Sequence, residues 1–405
     1  MFDFSVEEVV GDHGRGMLLT SQKHLCLSLH DYQFSSYLFS FLSTQEVLFF
    51  YLRVLENIII DRCIATTTTT TNKADISTQY ILTMPDALFD ARNFLIVGSG
   101  NQAIAAVCTT NAGPLSGEEL ANFNAEKDVI TARAQLQRGQ VDVVLAHLRN
   151  ATHPYLLSVK LLADYVAAER RKSEPAAVTA ALDAMLQVAV GAKVEARNVY
   201  TAIFAAAALL EQGRVAESLT LAKKWLAGLP EPSPFSAYFH LELRTLVVEG
   251  LLRLGRTDLA AGEAEKMDQT DEESLFTILA RGTVALAQGQ QTGAAGHYDA
   301  ALACFKDVSM RCGQTPLTLN LTALAHLGLG QLAEAQKCLT DALAVRADDP
   351  DTTANLAAIM AQLGKPPQEH KTYLLQATEM QGAWAAAYKD TTDRLDQAMA
   401  GFRAA

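Results

Sequence analysis

Residues Leu319–Leu343 read LNLTALAHLGLGQLAEAQKCLTDAL. Leu and Ala recur in the first half at helical spacing, Gly330 interrupts the run, and a second helical run follows from Gln331. Glycine at that point admits the left-handed backbone that ends a first helix. Five residues past the break stands Ala335, and nine past it stands Leu339. Two helices of a hairpin close up only where one side chain is small, so a small residue followed by a large apolar one marks a packed pair. This stretch therefore predicts one helix–turn–helix unit.

The unit repeats. Matching turn positions fall at Gly100, Gly139, Ser173, Gly213, Gly255, Gly296, Gly330 and Gly364. Five residues beyond them come Ala105, Val144, Val178, Ser218, Ala260, Ala301, Ala335 and Glu369, all small or β-branched except the last. Leu148, Leu182, Phe305 and Leu339 restore bulk nine residues past their turns. Successive turns are 34 to 42 residues apart, which fits the 34-residue tetratricopeptide period with longer loops in places. The predicted fold is all-α: a tetratricopeptide-like, right-handed solenoid of about eight helix pairs, each burying its apolar face on its neighbours.

Bulk properties agree and exclude some partners. The chain has 405 residues, 49% hydrophobic and 19% charged, enough for a large core. A net charge of −12 repels a phosphate backbone. The basic cluster Arg170-Arg171-Lys172 lies between Glu169 and Glu174 and reads as a solvated helix end, so no nucleic acid partner is expected. The six cysteines form no Cys-x-x-Cys pair and read as free thiols in a reducing compartment.

The chain changes character near Met84. Residues 1–83 carry aromatic and β-branched residues and a tract of six threonines, Thr66 to Thr71, which has no period able to specify a packed element. Residues 33–52 have the length of a membrane span, but Ser35, Ser36, Ser40, Ser43, Thr44, Gln45 and Glu46 make it a poor one. An amphipathic or unstructured tail is a second reading of this poorly defined N-terminal extension. The preferred reading is that the natural protein begins at Met84 and residues 1–83 are translated upstream sequence. Residues 84–405 then form the helical-repeat domain.

No pattern of catalytic residues emerges. Phe94–Ala103 holds an apolar run followed by Gly98-x-Gly100-x-x-Ala103, a fragment of the dinucleotide fingerprint. No later segment supplies the strands that a nucleotide-binding sheet needs, so the run is read as a helix end and its turn. The nine histidines lack metal-ligand spacing on a helix, and His326 reads as a structural histidine near the packing face. Asp348-Asp349-Pro350-Asp351 lacks the central Gly and closing Glu of a calcium loop and reads as a turn before a helix. No cofactor, metal site or enzymatic activity is expected.

Specific strings carry a resemblance. Asp86–Phe94 (DALFDARNF) with Gly98, Gln102 and Ile104 resembles the opening of the coatomer epsilon-subunit family. So do Glu126–Val129 with Arg133-Ala134 and Val143–Leu145, and more closely Ser158–Arg171 (SVKLLADYVAAERR). The most distinctive string is Leu363–Pro367 (LGKPP) with Tyr373-Leu374. They lie in family order across 84–405. The resemblance implies a non-enzymatic subunit of the COPI vesicle coat that binds the C-terminal domain of alpha-COP, in a layer with beta-prime-COP. It also implies retrograde Golgi-to-endoplasmic-reticulum and intra-Golgi transport, a cytoplasmic location, and attachment to Golgi membranes and vesicles only through the coat.

Laid on the chain, the tetratricopeptide register puts Tyr200, Ile203, Glu242, Thr245, Glu249, Asn320, Leu324 and Leu327 on an inner face able to hold a partner, with ordinary core packing as the alternative for each Leu or Ile. The competing reading is another tetratricopeptide adaptor, of the chaperone-cofactor class that grips a C-terminal carboxylate. The mostly apolar and acidic inner positions count against it.

Overall fold

In a computed structural model, residues 87–171, 175–232, 237–380 and 383–404 are described. Seventeen α-helices and no strand occur among them. They are α1 (Phe89–Ile96), α2 (Gly100–Thr109), α3 (Gly117–Gln137), α4 (Val141–His147), α5 (Pro154–Arg170), α6 (Pro175–Gly191), α7 (Val199–Glu211), α8 (Val215–Gly228) and α9 (Ala237–Arg253). The series continues with α10 (Thr257–Asp271), α11 (Leu275–Thr292), α12 (Ala295–Cys312), α13 (Pro316–Gly328), α14 (Leu332–Val345), α15 (Pro350–Gln362), α16 (Pro367–Glu379) and α17 (Ala383–Ala404). Eight hairpins, α1–α2 to α15–α16, precede the single helix α17. The solenoid of eight helix pairs is thus observed.

One hydrogen-bond pattern builds six of the hairpin turns. At Gly98, Gly139, Gly213, Gly255, Gly330 and Gly364 φ is positive, between 66° and 79°. Each glycine donates to the carbonyl three residues back, and the following residue donates to the carbonyl five back, as from Gln331 to His326 at 2.9 Å. This satisfies the last carbonyls of the first helix and needs a residue without a Cβ at the reversal. The turn between α11 and α12 is different: Gly293, at φ 69°, closes a simpler loop by donating to Gly289.

Two predicted turn glycines are therefore corrected. Gly100 is the buried first residue of α2, and Gly296 lies inside α12. The reversals fall at Gly98 and Gly293, because the Gly98-Ser99-Gly100 and Gly293–Gly296 segments each offer two glycines and only the one ending the helix needs the left-handed backbone. With Gly98 as the turn, the small residue five positions on is buried Ala103 rather than exposed Ala105. Val144, Ser218, Ala260 and Ala335 are buried as the pattern requires and Val178 is half-buried; buried Ala301 stands eight residues past the observed turn at Gly293, whose fifth position is half-buried Tyr298. Ser218 also donates its hydroxyl across the hairpin to the Ala206 carbonyl, at 2.8 Å. Ser173 lies outside the described residues, as do residues 1–83 with the span 33–52 and the Thr tract. No described helix is long and apolar enough to cross a membrane.

Proline and a capping side chain start several helices. Thr315 and Thr318 form a reciprocal capping box before Pro316 at the head of α13. Asp349 accepts from the Thr352 amide before Pro350 at the head of α15, so the cap is Asp349 and Asp351 lies in the first turn. The first helices, the odd-numbered ones, touch one another in sequence from α1 to α15 and form the inner row; their partners lie outside. The main core runs from the end of α1 to α13. A small separate cluster joins α1, α2 and α3, and a third binds α13 to α16.

Candidate functional site

The inner row is closed at its middle. Tyr200, Ile203, Phe204, Leu209 and Leu210 are buried around the whole circumference of α7, and α9 is buried from Tyr238 to Leu252 except at Arg244. A helix apolar on all sides is covered on all sides. α9 is not uniformly apolar, so its buried polar groups must be paired. The groups that meet them come from the start of the chain.

Glu126 of α3 is the hub. Its carboxylate accepts hydrogen bonds from the hydroxyls of Tyr200 and Tyr238, each at 2.9 Å. Arg92 of α1 pairs with the same carboxylate at 3.1 Å and lays its guanidinium 4.4 Å from the Tyr238 ring centroid. Tyr200 packs edge to face on both Tyr155 and Phe239, which are tilted to each other, with centroids 5.1 to 6.4 Å apart around this hub. Two turns along α3, Arg133 faces Glu242 at 3.7 Å and lies over Phe204. In a regular solenoid each hairpin touches its neighbours. Here the first and second hairpins reach the fourth and fifth.

The Arg133–Glu242 pair is unusual. Both side chains are almost fully buried, and the guanidinium terminal nitrogens and both carboxylate oxygens lack hydrogen-bond partners. Burial drives the Glu242 carboxyl well above the usual carboxylate range, against the pull of Arg133. Burial likewise lowers Arg133 from its ordinary value, against the pull of Glu242. Burial, then the charge of Glu126, raises the hydroxyls of Tyr200 and Tyr238, which stay protonated donors. Two turns further along α9, Glu249 pairs with Arg253 at 3.0 Å, and burial lifts it to about 7 despite that partner.

The register residues can now be located. Tyr200, Ile203, Glu242, Thr245, Glu249, Asn320 and Leu324 are buried, and Leu327 is half-buried. In this structure the α1–α3 arm and neighbouring first helices cover the first seven. Tyr200 and Glu242 meet in the seam. Thr245 turns its hydroxyl back to the Leu241 carbonyl, and Asn320 bridges to α15. Sequence reasoning did not select Arg92, Glu126, Arg133 and Tyr238. The strings DALFDARNF and EKDV contain Arg92 and Glu126, but nothing local says that they meet residues more than 100 positions away.

The remaining motifs resolve structurally. Phe94–Ile96 ends a helix and Gly98-Ser99 is its turn, so no strand precedes the glycines. Arg170 donates to the Gly139 carbonyl of the preceding turn. His326 is half-buried and bonds Gln331 through its ring at 2.6 Å. No group of three potential metal ligands occurs among the described residues.

A family model described as "Coatomer epsilon subunit" matches residues 84–403. The chain belongs to the coatomer epsilon-subunit family. It is 27% identical to coatomer subunit epsilon-1 of Oryza sativa subsp. japonica over 290 residues, covering 72% of this chain and 89% of that one. The figures for coatomer subunit epsilon-1 of Arabidopsis thaliana are 26%, 72% and 88%. Against coatomer subunit epsilon of Caenorhabditis elegans the identity is 28%, over 70% of this chain and 86% of that one. The family match starts at Met84, where the composition changes and the resemblance begins. Membership makes the chain a structural component of the COPI coat, associated with other coatomer subunits.

Proposed function

We propose that this epsilon subunit binds the C-terminal domain of alpha-COP and stabilises it, beside beta-prime-COP, for retrograde Golgi-to-endoplasmic-reticulum and intra-Golgi transport. It acts without catalysis, from the cytoplasm, and reaches Golgi membranes and vesicles only through the coat. The observation that carries this reading is the family match along nearly the whole helical array. Residues 84–405 are the working domain, and residues 1–83 are dispensable for it. Of the eight inner-row residues, half-buried Leu327 touches the partner directly, and the seven buried ones hold the row in shape.

The test is a pull-down from cells with the full chain as bait and proteins identified by mass spectrometry. Alpha-COP and other coat subunits in near-equal amounts, retained by residues 84–405 and reduced by Leu327→Asp, are the expected result. Recovery of chaperones, or of a partner that depends on residues 1–83, overturns the reading.

A further inference from the structure

Helix α1 belongs to two bodies at once. Leu88, Ala91 and Leu95 form a small apolar cluster with α2 and α3 that is separate from the main core. Polar ties hold the same arm together: Gln137 donates to the Leu95 carbonyl at 3.0 Å, and Lys127 donates to the Thr110 carbonyl at 2.8 Å. Across the inside of the array, α1 touches α11 of the sixth hairpin, and the Asp90 charge is felt at Cys312 on α12. The array is therefore a ring, and the α1–α3 arm is where it shuts.

The named ties across that seam are polar and aromatic: Arg92 over the Tyr238 ring, the two tyrosine hydroxyls to Glu126, and Arg133 facing Glu242 without hydrogen bonds, while the Arg92–Glu126 pair lies within the arm and neutralises the carboxylate that the tyrosines hold. Apolar seams open at the expense of the whole contact area, whereas charged groups regain water when they part. The incompletely bonded Arg133–Glu242 pair lowers the difference further.

We propose that this seam is a reversible clasp with Arg92 as its latch, so that the α1–α3 arm parts from α9 and α11 as a unit while its own small core and the rest of the ring stay folded. An open ring admits a partner segment to the inner row; that consequence rests on the alpha-COP reading, and the two states do not.

Hydrogen exchange by mass spectrometry on the full chain tests the clasp, comparing wild type, Arg92→Ala and Arg92→Lys, with Asn320→Ala as a reference outside the seam. Arg92→Ala strips the Tyr238 ring of its cation and leaves Glu126 charged without a counter-ion in the closed seam, so exchange in α1 and the first half of α9 is expected to accelerate together by about a hundredfold. α13 to α15 should be unchanged, and Arg92→Lys intermediate. Acceleration confined to α1, spread uniformly, or absent overturns the clasp; should Arg92→Ala fail to fold, Arg92→Lys is judged by the same pattern. A clasp signature in a chain that captures no coat subunit would sink the partner reading and leave the clasp standing.

Discussion

The two ends of the inner row use buried polar groups in opposite ways. At the N-terminal end Arg92, Glu126, Tyr200, Tyr238, Arg133 and Glu242 tie the first two hairpins to the fourth and fifth. At the C-terminal end Asn320 of α13 donates to Thr352 of α15 at 2.6 Å and accepts from Asn355 at 3.0 Å, joining only adjacent hairpins. Neutral amides and hydroxyls lose little hydration and set local spacing. Ions desolvated across the ring gain little net stability, yet they strongly penalise any geometry that separates them without water. The C-terminal ladder propagates the array, and the N-terminal seam terminates it.

The largest expected effect is at the hub. Glu126→Ala leaves the Arg92 guanidinium without this buried partner and two buried tyrosine hydroxyls without acceptors, so stability should fall by about 3–5 kcal/mol. Urea denaturation reads it, and a loss under about 1 kcal/mol would place the seam with exposed ion pairs. Next comes pH. Glu249 has a folded pKa near 7, above the 4.5 of the unfolded chain. Its contribution is present in full below pH 4.5, declines as the pH rises, and is lost above pH 7. A loss of roughly 2–3 kcal/mol between pH 4.5 and 7.5 is expected from it, and Glu249→Gln should flatten that slope. An unchanged slope would mean that Arg253 keeps Glu249 ionised throughout. Gly282→Ala probes a site between the seam and the ladder: a Cβ there would sit 2.5 Å from Phe305 Cε1, so α11 and α12 must part. About 1–3 kcal/mol should be lost in the same denaturation assay.

The hairpins were legible because they are local. A glycine that ends a helix, a small residue five positions later and a large one four beyond that all act within one turn of contact, so Gly330, Ala335 and Leu339 could be read directly. Gly100 and Gly296 were misread where two glycines stand close together, since spacing alone does not say which one needs positive φ. The inner face was not legible for another reason. Register arithmetic says which side of a helix Tyr200 and Glu242 occupy, but not whether the ring is open there. Closure is set by ring radius, and that accumulates over five hairpins. The register puts Asn320 on the inner face, and its side chain is spent on Thr352 of the next first helix.

Asn320→Ala is the smallest perturbation and the sharpest contrast with Glu126→Ala. It removes a neutral amide, leaves the Thr352 hydroxyl still donating to the Asp349 carboxylate, and strands only the Asn355 amide, itself part-buried. A loss of about 1–2 kcal/mol is expected, and it should not depend on pH between 5 and 8, because the lost bonds are between uncharged groups. The unfolding midpoint across that range measures both. Because Asn320 bonds only to its own helix and to α15, the loss should add to that of Glu126→Ala in the double variant to within about 0.5 kcal/mol. Strong coupling between the two sites would mean that closing the ring at one end sets the spacing of the ladder at the other, and the division of labour between the two ends of the inner row would fail.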